Sequence, residues 1–170
     1  MRSTKFINFA AFASTTALLA AAPISHAATA TTLMDVTATV LSSCVAVATP
    51  VIFGNYTGAA VDSHGHITVT CTPDVSAYNV GLGSGAGSGA TTSARKMTNL
   101  LSADTLGYHL FRDAARTQNW GEIAADWQPS SAATSTAGTI KTFTVYGRLT
   151  AEQQAGIGAY ADIITVTVNY

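Results

Sequence analysis

The chain has 170 residues, of which only 10 % are charged, with 8 Lys and Arg against 9 Asp and Glu and a net charge of −1. Such a balance excludes a nucleic-acid partner, which asks for a concentrated basic face. The length is that of one domain with a moderate core, and the scarcity of charge implies a surface of hydroxyls and small residues, suited to a protein that ends in an assembly.

Residues 1–27 read as a signal peptide: Arg2 and Lys5 give a positive head, residues 6–22 an apolar run, and Ser25-His26-Ala27 a small-residue cleavage site. Cleavage there also removes two basic groups, leaving 6 against 9 acids. No later stretch approaches the roughly 20 apolar residues that cross a bilayer, so the exported chain is expected to be soluble.

Residues 34–41 alternate, sending Met34, Val36, Ala38 and Val40 to one side, as a strand with one apolar face does. A second strand is expected over residues 45–53, closed by the turn residues Gly54-Asn55-Tyr56-Thr57-Gly58. Cys44 and Cys71 both lie in the exported part, where a disulfide is the default. It would close a loop of 28 residues, worth about 3.5 kcal/mol by chain entropy. A catalytic thiol has no flanking signature.

Asp62, His64 and His66 share one side of an extended chain, a conceivable metal set. Without a closing fourth ligand they read as a solvated turn before a strand at residues 67–71, and no metal is expected. After a strand at residues 78–82, the glycine-rich run 83–89 leads to Ala90-Thr91-Thr92 rather than to the Lys-Ser/Thr of a phosphate loop, so it reads as a flexible connection.

A strand over residues 106–111 turns His109 to solvent. Asp104 before this strand and Asp113, Glu122 and Asp126 after it cluster loosely around Trp120 and Trp127 on what reads as irregular, exposed chain, with no regular element to fix a glycosidase pair. The two tryptophans either stack on a sugar or cover one end of the core. Arg112 and Asp113 read as a local charge pair. Residues 139–149 form a strand, 151–155 a helical turn, and 163–170 a last strand with Ile164, Val166, Val168 and Tyr170 on one face and nothing after it. No Gly-x-Ser-x-Gly elbow is present, and neither catalytic residues nor a cofactor are expected. Seven short strands predict an all-β sandwich of two antiparallel sheets.

Taken in order, Cys44, Phe53-Gly54-x-Tyr56, Ile67-x-Val69-x-Cys71, Tyr78, Arg95-x-Met97, Leu106-x-Tyr108-x-Leu110-x-x-Asp113, Trp120-Gly121, Tyr146-Gly147-Arg148, Tyr160-x-Asp162 and Val166-x-Val168-x-Tyr170 resemble the spore coat protein U family, the subunit domain of archaic chaperone–usher pili. The resemblance implies an incomplete immunoglobulin-like β-sandwich of the pilin type, lacking its final strand, with an N-terminal extension at residues 28–42 and a domain at 43–170. It implies a structural subunit that polymerises by donor-strand exchange for surface adhesion and biofilm formation. The implied partners are a periplasmic chaperone, an outer-membrane usher and other pilin subunits in a homo- or hetero-polymer. The implied route is export through the inner membrane to the periplasm, ending in a pilus or on the cell surface.

On that reading Met34, Val36, Ala38 and Val40 are the donor side chains, while Ile164, Val166, Val168 and Tyr170, with the terminal carboxylate, mark the groove and the strand a chaperone grips. The other reading makes residues 34–40 the domain's own first strand, and the protein a monomeric secreted coat or carbohydrate-binding sandwich that uses Trp120 and Trp127.

Overall fold

The computed structural model describes residues 29–137 and 140–170, and the chain divides into two units, Met1–Ala38 and Thr39–Tyr170. The expected leader at residues 1–27 lies outside the described residues. In the first unit, residues 29–38 are exposed and carry neither strand nor helix. The strand expected over residues 34–41 is thus not formed. A lone extended segment with one apolar face has no partner for its backbone groups, and a strand exists only as part of a ladder.

Among its described residues the second unit holds ten strands: β1 Cys44–Ala48, β2 Val61–Cys71, β3 Asn79–Leu82, β4 Arg95–Asn99, β5 Thr105–Phe111, β6 Gln128–Pro129, β7 Thr134–Ala137, β8 Ile140–Leu149, β9 Tyr160–Ala161 and β10 Val166–Asn169. All pairings are antiparallel. The larger sheet runs β1-β2-β8-β5-β4-β9, with β7 also on β8, and the smaller runs β10-β3-β6. Among the described residues helix is confined to two 3₁₀ turns, Ala124–Asp126 and Ser130–Ala132. The fold is the all-β sandwich that the strand spacing predicts.

Period-2 alternation supplies the core. Ile67, Val69 and Cys71 of β2, Leu106, Tyr108 and Leu110 of β5, and Phe143, Val145 and Leu149 of β8 form one core with Val80 and Leu82 of β3 and Tyr78 just before it. Trp120 plugs the space between the sheets. Its indole packs edge-on to Phe143, 6.2 Å between centroids, and donates Nε1–H to Val80 O at 2.8 Å. Cys44 and Cys71 are joined in a disulfide across the first pair of β1 and β2.

Several local expectations are corrected. β2 begins at Val61, so Asp62, His64 and His66 lie on the outer face of a strand and not in a solvated turn. Hydropathy hides this start because the inward positions are Ser63 and Gly65. They are small because residues 49–53 cross directly above: a Cβ on Gly65 would lie 2.8 Å from Thr49 O, and one on Gly147, cross-strand from Ser63, would lie 2.7 Å from Val51 Cγ1. The strand expected over residues 45–53 correspondingly ends at Ala48, and Pro50, which has no N–H, starts the crossing.

The helical turn expected at residues 151–155 is absent: those residues are bends and irregular chain, with Glu152 at φ +59°. β4 was invisible to pattern because two of its three inward residues are the buried polar Arg95 and Asn99.

Gly65→Ala is expected to destabilise the body by about 2–3 kcal/mol, an overpacking cost, although alanine is ordinarily the better strand residue. Urea unfolding of the two proteins measures it. An unchanged midpoint would show that residues 49–53 do not rest on β2.

Candidate functional site, a groove along an unpaired strand edge

Residues 49–56 run from the end of β1 across the larger sheet as a strap. Thr49 N donates to His66 O at 2.8 Å, Ser63 Oγ to Ile52 O at 2.6 Å, and Tyr56 OH to Thr150 O at 3.0 Å while accepting from Gln153 N at 2.9 Å. The strap is therefore tied at both ends, with Val51 and Phe53 packed on the core and Ile52 exposed.

Facing it stands β10. Its register on β3 pairs Val166 with Leu82 and Thr167 with Gly81, and Gly83 N donates to Thr165 O at 2.9 Å. Thr165, Thr167 and Asn169 therefore spend their backbone groups on β3, and alternation turns the N–H and C=O of Val166 and Val168 to the other side. Among the described residues no strand pairs with that side.

Between strap and β10 lies a cavity of about 1190 Å³. Its floor is the core, including Ile67, Leu82, Leu106, Tyr108, Val145 and Leu149, and its far wall is residues 155–162 with Ile164 and Val166. The groove is apolar at its base and carries a row of free backbone groups along one rim.

Two polar fixtures hold the groove's shape. The Asp162 carboxylate accepts from Tyr108 OH at 2.7 Å, Ala86 N at 2.7 Å and Ile163 N at 2.8 Å, which locks the lead-in to β10 onto the core. Burial first, and the Asp162 contact second, push the Tyr108 phenol well above its usual pKa, so it remains a donor. Gly85, at φ +87°, is required here because a Cβ would meet Asp162 Oδ2 at 2.0 Å. The glycine-rich run is thus a fitted connection and not a slack one.

The second fixture is Arg95, fully buried, whose guanidinium donates to Gly83 O at 2.8 Å, Thr92 O at 2.6 Å, Leu82 O at 2.9 Å and Trp120 O at 2.6 Å. Burial lowers its pKa, and the acidic neighbours Asp162, Glu122 and Asp126 and the Tyr108 hydroxyl work the other way.

The residues singled out by sequence fall as follows. Ile164, Val166 and Val168 are half-buried against the core beside the groove, whereas Tyr170 is 60 % exposed. Met34, Val36, Ala38 and Val40 are all exposed. The strap and residues 155–162 were not singled out as groove walls; their only signal was their place in the family-like motifs.

Asp62 is engaged by cations: Arg148 donates Nε and one terminal N–H at 2.7 and 2.9 Å, and Arg116 Nε lies 3.3 Å away. The Arg148 hydrogen bond holds its carboxyl below the usual pKa. His109 does face outward, half-buried beside Arg148.

The expected Arg112–Asp113 pair is corrected. Arg112 donates to Trp127 O at 2.6 Å, and Asp113 accepts from Thr117 N and Gln118 N to close its own turn. Trp120 is likewise not on exposed chain; it has no surface to offer a sugar.

The family model described as Spore Coat Protein U domain matches residues 30–167. The chain belongs to that family. Among curated proteins it is similar to Protein U of Myxococcus xanthus, 29 % identical over 124 residues that cover 71 % of this chain and 67 % of that protein.

Among solved structures the fold matches a chain of the CsuC–CsuE chaperone–tip adhesion subunit pre-assembly complex from archaic chaperone–usher Csu pili of Acinetobacter baumannii. The TM-score is 0.57 at 23 % identity, covering 78 % of this chain and 41 % of that one, so the chain spans about two fifths of its structural neighbour. Spore Coat Protein U domain membership and this likeness establish the fold.

Proposed function

We propose that the protein is a structural subunit of a chaperone–usher fibre that polymerises by donor-strand exchange. The observation that carries the reading is the cavity of about 1190 Å³ that reaches down to the apolar core and has the unpaired edge of β10 as its rim. Such a groove takes an extended segment with apolar side chains at alternate positions, bound by backbone ladder and filled pockets together. Residues 34–40 have that pattern, with Met34, Val36, Ala38 and Val40 on one face and nothing covering them. Burial of the larger three contributes about 1.5–3 kcal/mol each before ordering costs.

An apolar edge left open invites aggregation. A periplasmic chaperone that lends a strand to the groove, and an outer-membrane usher that receives the complex, answer that hazard, and other subunits then supply the permanent strand. The signal peptide read at residues 1–27 provides export. The mature protein then lies in a surface fibre that serves attachment and biofilm formation, and the role is structural rather than enzymatic.

The test adds a peptide of residues 28–41 to the purified mature chain. At a hundredfold excess over its Kd the peptide stabilises by about 2.7 kcal/mol, a rise in Tm of about 5–10 °C. A peptide with Met34, Val36 and Val40 changed to Asp gives no rise. An equal response to both peptides, or none to the first, counts against the proposal.

A further inference from the structure

Three large apolar side chains stand in the open at one end of the body: Leu100 is 67 % exposed, Leu101 91 % and Ile157 105 %. Their loops are firmly tied. Leu100 N donates to Ala159 O at 2.9 Å, and Asn99, only 4 % exposed, accepts from Leu101 N at 2.9 Å and donates to Ile157 O at 3.4 Å. Gly158, at φ +154°, lets the second loop settle on that amide, since a Cβ would lie 2.5 Å from Asn99 Nδ2. A buried polar side chain thus holds two loops together while both display leucine or isoleucine to water. An ordered apolar cluster of this kind marks an interface.

Its place in the fold identifies what covers it. Residues 155–162, Ile157 included, are the groove wall from which the chain passes into β10. A donor strand pairs slightly better with β10 when antiparallel, and it then points its C-terminal end at this wall. The residues that follow the donor's last groove-facing side chain, Val40, are Leu41, itself 75 % exposed, then Ser42 and Ser43, and then β1. Two serines span only about 7 Å of extended chain. The donating copy's body is therefore brought against Leu100, Leu101 and Ile157.

We propose that Leu100, Leu101 and Ile157 form a docking collar for the body of a second copy of this chain, met first by that copy's Leu41. This rests on the donor-strand reading above and adds a body-to-body contact that the strand alone does not require. The collar sets how stiffly, and how durably, successive copies are joined.

The test compares the full mature chain with Leu100→Glu and Leu101→Glu variants, neither residue lining the groove. In each variant the peptide of residues 28–41 raises Tm as in the wild type, because the groove is untouched. Polymers of the variants, diluted into urea, dissociate about tenfold faster or more, the scale of one lost interface anchor, and Leu101→Met restores the wild-type rate.

If the peptide fails to stabilise even the wild type, the groove reading falls and the collar with it. If the peptide acts normally and dissociation is unchanged, the collar alone is overturned. Loss of binding to apolar beads by the assembled variants, with dissociation unchanged, also overturns it and assigns the cluster to a surface instead.

Discussion

Removing residues 28–41 from the mature chain is expected to abolish polymerisation while leaving chaperone binding intact. The deleted segment contributes none of the ten strands of the second unit, so the sandwich, its disulfide and the groove remain. On the donor-strand proposal, what is lost is the occupant of the next copy's groove: three large apolar side chains and a run of ladder hydrogen bonds, together at least about 5 kcal/mol. That corresponds to a weakening of more than about a thousandfold. Co-purification with the chaperone and electron microscopy of the assembled material separate the two effects. Normal fibres from the truncated chain would end the donor-strand account, and loss of chaperone binding would show that the segment serves the fold as well.

Arg95→Ala is expected to be the most damaging single change in the body. Four main-chain carbonyls, those of Leu82, Gly83, Thr92 and Trp120, lose their donor at once in a place water does not reach. Each unsatisfied acceptor costs about 1–3 kcal/mol, and a cavity the size of the side chain is left as well. Even with strong non-additivity the loss is on the order of 4 kcal/mol or more, about 10 °C in Tm. Arg95→Lys keeps the charge but not the planar fork, and falls between. Thermal unfolding followed by circular dichroism orders the three proteins; a Lys variant as stable as the wild type would show that charge, not the fork, is what the site needs.

The large features of the fold were legible in the residues. Strands were expected where β2, β5, β8 and β10 form, alternation put Ile164, Val166 and Val168 on the face that packs on the core, and the two cysteines of a chain read as exported were expected to pair, as they do. What escaped was set by contacts between distant segments.

β4 hid behind Arg95 and Asn99, whose inward orientation depends on carbonyls supplied by other loops. The start of β2 hid behind Ser63 and Gly65, small for the sake of a strap that lies elsewhere in sequence. Trp120 looked exposed because it sits in irregular chain, yet its neighbours Val80 and Phe143 come from other strands. The groove has the same character: its floor, strap and rim come from segments as far apart as residues 48 and 166, and only their meeting makes a site.

Among the described residues the only ion pairs are those of Arg116 and Arg148, and both converge on the single carboxylate of Asp62. The ties of Arg95 to Leu82, Gly83 and Trp120 are buried and that of Tyr108 to Asp162 is part-buried, out of easy reach of dissolved ions, which screen exposed charges within about 10 Å at 0.1 M. Rainwater and brine should therefore be alike to this body. On the proposed role in a surface fibre, cohesion indifferent to salinity is what a sandwich with 10 % charged residues provides.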